Sequence, residues 1–238
     1  MRRIVAMLLC VISLPVFAQQ TVINDGNAEK RDVAAFTGIK VSGAITVYLS
    51  QSDTYSLAVS ANDSSVINNI KTEVKDNVLN IYVENFRWKK HLHNVQMRVY
   101  ISFKTLESID VSGACGIFID GTINSTTMLV RLSGASTIEG AIKAGTISFE
   151  LSGASVSKVA GDAENIKIDA SGASDVKNYD LKTQNCIAKL SGASDARLSI
   201  SNSLVVSASG ASSLYFNGNP EKRTIEKSGA SSVVQKEN

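Results

Sequence analysis

The sequence is poor in the residues that build disulfide scaffolds and metal sites. Its 238 residues include three cysteines, two histidines, two prolines and one tryptophan. Cys10 lies in the leading apolar segment. In the repeat register given below, Cys115 and Cys186 are three to four coils apart, which is beyond the reach of a disulfide. We therefore expect both to be reduced and buried.

Sequence motifs for common chemistries are also missing. There is no GGxGxD calcium repeat, no GxSxG elbow, no phosphate-binding loop and no clear Ser/His/Asp constellation. We expect no metal and no cofactor, and we expect the protein not to be an enzyme.

Long apolar runs are scarce as well, with one exception at the start of the chain. Arg2 and Arg3 precede an apolar run over residues 4–16, and Val16-Phe17-Ala18 suits a signal peptidase. Residues 1–18 are therefore predicted to be a signal peptide, and no membrane span is expected after it. Removing the two arginines leaves 22 basic and 22 acidic residues, a balance that disfavours nucleic acid as a partner.

What the sequence does contain is a repeat. The triplet SGA begins at Ser112 and recurs at spacings of 18 to 21 residues up to Ser228, with one outlying copy at Ser42. This period predicts the coil of a β-helix, in which glycine permits a sharp corner. The predicted corner glycines are Gly43, Gly113, Gly134, Gly153, Gly172, Gly192, Gly210 and Gly229. We expect the alanine of each triplet to fit the interior and the serines to bond the turn backbone.

Apolar residues alternate with polar ones before each triplet, as they do in strands with one buried face. The predicted inward residues are Met128, Val130, Leu132, Ile147, Phe149, Leu151, Ile166, Ile168, Ala170, Cys186, Ala188, Leu190, Leu204, Val206 and Ala208. A further inward column follows each corner, and Ser157 is its polar exception. The fold class is therefore predicted to be all-β, a single-stranded right-handed parallel β-helix with coils of about 19 residues. Arg223, Ile225 and Lys227 predict a charged final coil that hides the open end of the stack.

The first half of the chain repeats less regularly. Strand-like alternation covers residues 39–50, 55–61, 77–84 and 94–102, residues 75–77 predict a hairpin tip, and residues 63–70 predict a capped helical turn. We interpret residues 19–110 as an irregular N-terminal β cap that is continuous with the regular repeats of residues 111–238. A separate β-sandwich is the alternative.

One short stretch stands out as a binding candidate. Residues 86–93, FRWKKHLH, contain the tryptophan, three basic residues and both histidines. Trp88 could stack on a sugar ring while Arg87, Lys89 and Lys90 meet anionic groups. A plain loop with Trp88 packed on the core is the alternative, and no metal site is expected at the two histidines.

Carboxylates in repeat register leave a catalytic alternative open. Asp120, Asp162 and Asp180 occupy similar places after their corners, and Asp175 and Asp195 share one column. Such pairs could serve a polysaccharide-active enzyme. Against this, lysine or arginine follows two residues after Asp175 and Asp195, as on a solvated face.

The segments TEVKDNVLNIYVEN and LESIDVSGACGI, together with the serial SGAS turns, resemble the head GIN domain family of autotransporter adhesins found in Bacteroidetes. The resemblance covers residues 36–215. It implies a right-handed β-helix shaped like pectin lyases without their catalytic residues, an adhesive role, and homo-oligomers, including trimers. The sequence shows no translocator barrel or coiled-coil stalk, which weakens the trimeric interpretation.

We therefore expect an exported, non-catalytic adhesin-like protein at the cell surface or in the periplasm of a Gram-negative bacterium. Its predicted partner is a glycan or a host or envelope protein. Two alternatives remain, a polysaccharide-active enzyme of the β-helix type and a periplasmic structural or sensory module.

Overall fold

A computed structural model describes residues 25–84 and 95–236. The first range and the start of the second contain β1 Glu29–Arg31, β2 Gly38–Gly43, β3 Ile45–Gln51, β4 Ser56–Ala61, a 3-10 helix Ser64–Asn69, β5 Ile70–Lys75, β6 Val78–Val83, β7 Met97–Phe103 and β8 Ser108–Gly113. The remainder contains β9 Gly116–Leu132, β10 Thr137–Leu151, β11 Val156–Ala170, β12 Asp175–Leu190, β13 Asp195–Ala208, β14 Ser213–Asn217, β15 Lys222–Lys227 and β16 Ser232–Gln235.

Strands β9 to β13 stack in chain order, and each pairs in parallel with the next. Met128 lies opposite Ile147, which lies opposite Ile166, and the column continues through Cys186 to Leu204. The predicted all-β parallel solenoid and its register are therefore confirmed. The right-handed sense of the coil stays a prediction.

The inward columns form one continuous apolar core. All fifteen predicted inward residues are buried, and so is the column after the corners from Ile117 to Leu214. The polar exception, Ser157, is fully buried. Its Oγ lies 3.1 Å from Oδ1 of Asn178 in the next coil, and the same oxygen accepts the backbone N–H of Val159 at 2.9 Å. A buried amide thus satisfies the one hydroxyl that interrupts the column.

The SGA triplets lie at the corners, as predicted, and each corner glycine has a positive φ. One part of that prediction is wrong, because the alanines of the triplets are exposed. The buried position is the next residue. Ser155 is one example, with its Oγ donating to the carbonyl of Ser152 at 2.8 Å. Ser136, Ser174, Ser194, Ser212 and Ser231 make the same bond within their own corners.

Cysteine takes the place of this serine in the corner that begins at Ser112. Sγ of Cys115 lies 3.4 Å from the carbonyl of Ser112. Cys115 and Cys186 are both free and buried, as expected. Burial raises the pKa of both thiols, that of Cys186 to about 12, so neither is a reactive thiolate at neutral pH.

In the first half of the chain, the order of the strands in the sheet differs from their order in the sequence. Strand β3 lies between β7 and β9, and β2 lies between β6 and β8, all in parallel. The hairpin tip predicted at residues 75–77 joins antiparallel β5 and β6, with Asp76 and Asn77 at positive φ. The predicted helical turn is the 3-10 helix, with Asp63 as its N-cap. The division into domains stays a prediction.

An arginine ties strands together at each end of the stack. At the start, the Arg31 guanidinium donates to the carbonyls of Ile67 (2.9 Å) and Ile70, which joins β1 to the 3-10 helix and β5. At the other end, Arg223 lies 5.6 Å from the centre of the Phe216 ring and donates to the carbonyl of Pro220. The final coil is polar and exposed, as predicted. Over the described ranges, no helix is long and apolar enough to cross a membrane.

Candidate functional site

The loop predicted as a binding site lies outside the described residues. Arg87, Trp88, Lys89 and Lys90 belong to residues 85–94, which separate the two ranges. Their role therefore stays a prediction.

Three aromatic side chains form a row on the outer face of the first half. Tyr48 of β3 pairs in register with Tyr100 of β7 on one side and with Phe118 of β9 on the other. The ring centroids are 5.2 Å apart for Tyr48 and Tyr100, at an interplanar angle of 15°. They are 5.6 Å apart for Tyr48 and Phe118, at 25°. Phe118, at the end of the row, is 37% exposed.

The strand register explains why these rings come together. Each aromatic residue alternates with buried neighbours, such as Val47 and Leu49 around Tyr48, so its side chain must point outward. Parallel pairing then places the same outward position of β7, β3 and β9 in one line, about 4.8 Å apart. Gly116 makes room at the end of the line, because a Cβ there would lie 3.2 Å from the Phe118 ring.

A polar row runs beside the aromatic one. Two residues further along the strands, Ser56 pairs with Ser102, Ser102 with Ser50, and Ser50 with Asp120. Together the two rows line a groove of about 1,210 Å³. Lys30, Asp53 and Lys104 line the same groove, so its charges are mixed. We call this surface, built on Tyr100, Tyr48, Phe118 and the bordering serines, the aromatic platform.

A carboxylate fixes the Tyr100 end of the platform. Tyr100 Oη donates to Asp25 Oδ2 at 2.8 Å, and the Arg98 guanidinium lies 3.8 Å from the same oxygen. The hydrogen bond from Tyr100 lowers the pKa of Asp25 below its ordinary value, and Arg98 acts in the same direction. Burial and this carboxylate raise the pKa of Tyr100 to about 12. The phenol therefore stays protonated at neutral pH, and its ring is held in place.

A second groove, of about 910 Å³, crosses strands β9 to β14. Its floor contains Ala144, Ala163 and Thr183, which pair in register in successive coils and are nearly buried. Along one wall, Lys143 lies opposite Asp162, which lies opposite Lys182. We call this surface the charged groove.

The candidate catalytic carboxylates divide between the two grooves. Asp120 lines the platform groove, whereas Asp162 and Asp180 line the charged groove. Asp175 forms two ion pairs on the surface, with one carboxylate oxygen 3.1 Å from Nζ of Lys177 and the other 2.6 Å from the Arg197 guanidinium. Among the described residues, no group of three or more His, Cys, Asp or Glu side chains could hold a metal ion.

Sequence reasoning missed the aromatic row, although the spacing of the corners carried a signal. Among the regular repeats, the coil between Ser112 and Ser133 is the longest, and its extra residues fall at the shift in register beside Asp120. The register of β12 also shifts relative to its neighbours β11 and β13, and Tyr179 and Asp180 at this shift line the charged groove. Coils of irregular length therefore mark both grooves.

The fold defines a class, the parallel β-solenoids, and this chain adds an aromatic row beside a groove on the outer face. The chain belongs to the family described as "Putative auto-transporter adhesin, head GIN domain", whose model matches residues 35–220. The resemblance drawn from the SGAS turns is thereby confirmed. No curated protein matches the sequence significantly.

Solved structures agree on the fold. The chain is similar to the crystal structure of a putative adhesin from Bacteroides fragilis at 17% identity, with a TM-score of 0.80, 88% of this chain covered and 96% of the other. It is similar to a putative adhesin from Parabacteroides distasonis at 19% identity, with a TM-score of 0.70 and coverage of 87% and 96%. A putative lipid binding protein from the same organism shares 19% identity, with a TM-score of 0.58 and coverage of 88% and 98%.

Proposed function

We propose that this protein is an exported adhesin that binds a glycan through the aromatic platform and carries out no catalysis of its own. The observation that carries the proposal is the row of Tyr100, Tyr48 and Phe118, which lies on the outer face beside a row of serine hydroxyls. Membership in an adhesin family supports the same role.

The chemistry of the two rows matches that of a sugar. A pyranose has apolar C–H groups, which can pack by van der Waals contact on the outward edges of the stacked rings, and hydroxyls, which need hydrogen-bond partners. The platform offers both within one groove, because Ser50 and Ser102 lie on the same outward face as the rings of Tyr48 and Tyr100, two residues along each strand. The row is also rigid, since Asp25 holds Tyr100 and Tyr100 stacks on Tyr48. Little conformational entropy is therefore lost on binding.

A glycan array probed with the mature chain tests this function, with Tyr48→Ala as the key variant. Removing the central ring takes away one apolar ring edge and the stacking support of both neighbours. We expect a loss of about 1–2 kcal/mol, or about 5- to 30-fold in Kd, for every glycan that the wild type binds.

Tyr215→Ala is the matched control. Tyr215 occupies the same outward column, in register with Arg197, but lies on β14, several coils away from the platform. This variant should bind like the wild type. Equal affinity of Tyr48→Ala and wild type for the glycans bound, or no glycan bound at all, would refute the platform as the binding site.

The location at the cell surface is tested separately. Protease added to intact cells should cleave a surface protein, whereas a periplasmic module would be cleaved only after the outer membrane is opened. Complete protection in intact cells would exclude surface adhesion and favour the periplasmic alternative.

A further inference from the structure

The two grooves meet at one residue. Asn124 of β9 lines both the platform groove and the charged groove. Gln51 of β3 fixes it there from the neighbouring coil, since Gln51 Oε1 accepts the backbone N–H of Asn124 at 2.7 Å and Gln51 Nε2 donates to its carbonyl at 3.0 Å. Gln51 Nε2 also donates to the carbonyl of Lys104 at 2.9 Å. The junction is therefore rigid.

The joined path crosses most of the solenoid. In the sheet order it begins at β4 and β7, passes β3 and β9, and ends at β14. At about 4.8 Å between neighbouring strands, these nine strands span roughly 40 Å. A small molecule or a single sugar would fill only a fraction of this length, whereas a polymer that runs along the axis could contact every coil.

The charges that line the charged groove are nearly balanced and do not select a charged polymer. Two lysines, Lys143 and Lys182, and three acidic residues, Asp162, Glu164 and Asp180, line the groove. Lys143, Asp162 and Lys182 alternate in sign from coil to coil, so repulsion accompanies the attraction that a polyanion or polycation would feel. Alternating ammonium and carboxylate groups instead offer a donor in one coil and an acceptor in the next. The hydroxyls of an uncharged glycan can both donate and accept, and they match this pattern.

We infer that the charged groove is a second binding site, continuous with the aromatic platform, and that the two together hold one extended, uncharged polysaccharide along the solenoid axis. The inference rests on the proposed function, because the platform supplies the apolar end of the site. One sugar residue per coil fits the path, since the spacing of the strands is close to the length of a pyranose in an extended chain. The floor of Ala144, Ala163 and Thr183 leaves room for the chain to lie against the backbone.

The test is the dependence of affinity on ligand length. Calorimetry would use three series of uncharged oligosaccharides, derived from cellulose, xylan and mannan, from dimers to octamers, with polygalacturonate as the charged polymer. In at least one uncharged series, we expect affinity to rise beyond the trimer, with octamers binding at least about tenfold tighter than trimers because added subsites act together. Polygalacturonate should not bind more tightly than the uncharged octamer.

Paired variants separate the two grooves. Lys143→Ala combined with Lys182→Ala should abolish the gain from trimer to octamer and leave trimer binding unchanged, because trimers occupy the platform. Lys167→Ala combined with Lys189→Ala is the matched control, since these exposed lysines lie on β11 and β12 outside both grooves. The control should retain the full gain.

The outcomes distinguish the inference from the proposed function. Trimer binding with no further gain at the octamer would overturn the second site and leave the platform intact. A gain that survives Lys143→Ala with Lys182→Ala, or a preference for polygalacturonate, would also overturn it. Release of new reducing ends from any polymer, abolished by Asp162→Asn or Asp180→Asn, would show that the groove cleaves rather than holds. Failure of every uncharged series to bind would overturn the second site, whereas the glycan array with wild type and Tyr48→Ala decides the proposed function.

Discussion

The tight stacking of the SGA corners predicts how the fold responds to a single methyl group. Gly153 has a φ of +72°, and a Cβ built on it would lie 2.5 Å from the carbonyl oxygen of Gly134 in the preceding coil. Gly121 has a similar φ of +76°, but nothing lies within 4 Å of its Cβ position. The two glycines therefore share a backbone conformation and differ in the space available.

The difference can be estimated from its parts. A left-handed alanine costs about 1–2 kcal/mol, and the lower entropy of the unfolded chain offsets about 0.5–1 kcal/mol of this. Gly121→Ala should therefore destabilise the protein by about 1 kcal/mol. At Gly153 the coils must also separate by nearly 1 Å to reach an ordinary contact, which weakens the 2.7 Å hydrogen bond from Ala154 N–H to the Gly134 carbonyl. That adds about 1–3 kcal/mol, for a total of about 3 kcal/mol.

Urea denaturation followed by far-ultraviolet circular dichroism would measure both variants. The slope of each transition serves as the internal control, because an unchanged slope means that the same surface is exposed on unfolding. Equal midpoints for Gly153→Ala and Gly121→Ala would refute the reasoning, since the backbone conformation alone would then explain the choice of glycine.

Three further predictions concern the two cysteines, Asp25 and Leu151. Cys115 and Cys186 should not react with a thiol reagent in the native protein and should react fully in urea; rapid native labelling of Cys186 would contradict its burial. The pKa of Asp25 is lowered on folding, so its contribution to stability is present above its unfolded pKa and is lost as pH falls through the folded value. Tyr100→Phe, which removes the hydrogen bond to Asp25, should therefore lower the thermal midpoint at pH 7 more than at pH 2–3, near or below the ordinary aspartate pKa of about 3.9; an equal loss at both pH values would argue against the linkage. Leu151→Asp places a charge in a buried column and should cost at least about 4 kcal/mol by urea titration, whereas unchanged stability would contradict the register.

The inward columns could be predicted from sequence because a solenoid repeats one register. Once Leu132, Leu151 and Leu190 were aligned on their SGA triplets, parallel stacking followed, and the pairing of β9 to β13 confirms it. The orientation of the corner could not be predicted in this way. Alanine and serine are both small, so size does not distinguish them. The serine is the buried residue because its hydroxyl donates a hydrogen bond to the carbonyl three residues earlier, as Ser155 does to Ser152. An alanine at that position would leave this carbonyl without the bond.

The aromatic row could not be predicted because its residues are distant in sequence and their strands interleave. Tyr48 comes from β3, Tyr100 from β7 and Phe118 from β9, and β3 lies between the other two strands. That order depends on long-range pairing in the irregular half of the chain, where no repeat fixes the register. Alternation did predict that each residue lies on a strand, and it left open which strands are neighbours.

Function in this fold should be sought where the repeat is broken. The inward columns and corners must stay alike from coil to coil, because each coil packs on the next, so a change there is costly. Outward positions and coil length are free of that requirement. Here the longest of the regular coils adds its extra residues beside Asp120, next to Phe118 and Asn124, and the shift in β12 brings Tyr179 and Asp180 to the charged groove. Both irregularities interrupt the regular strand pairing on which the fold depends. We therefore propose that the binding surface lies beside them.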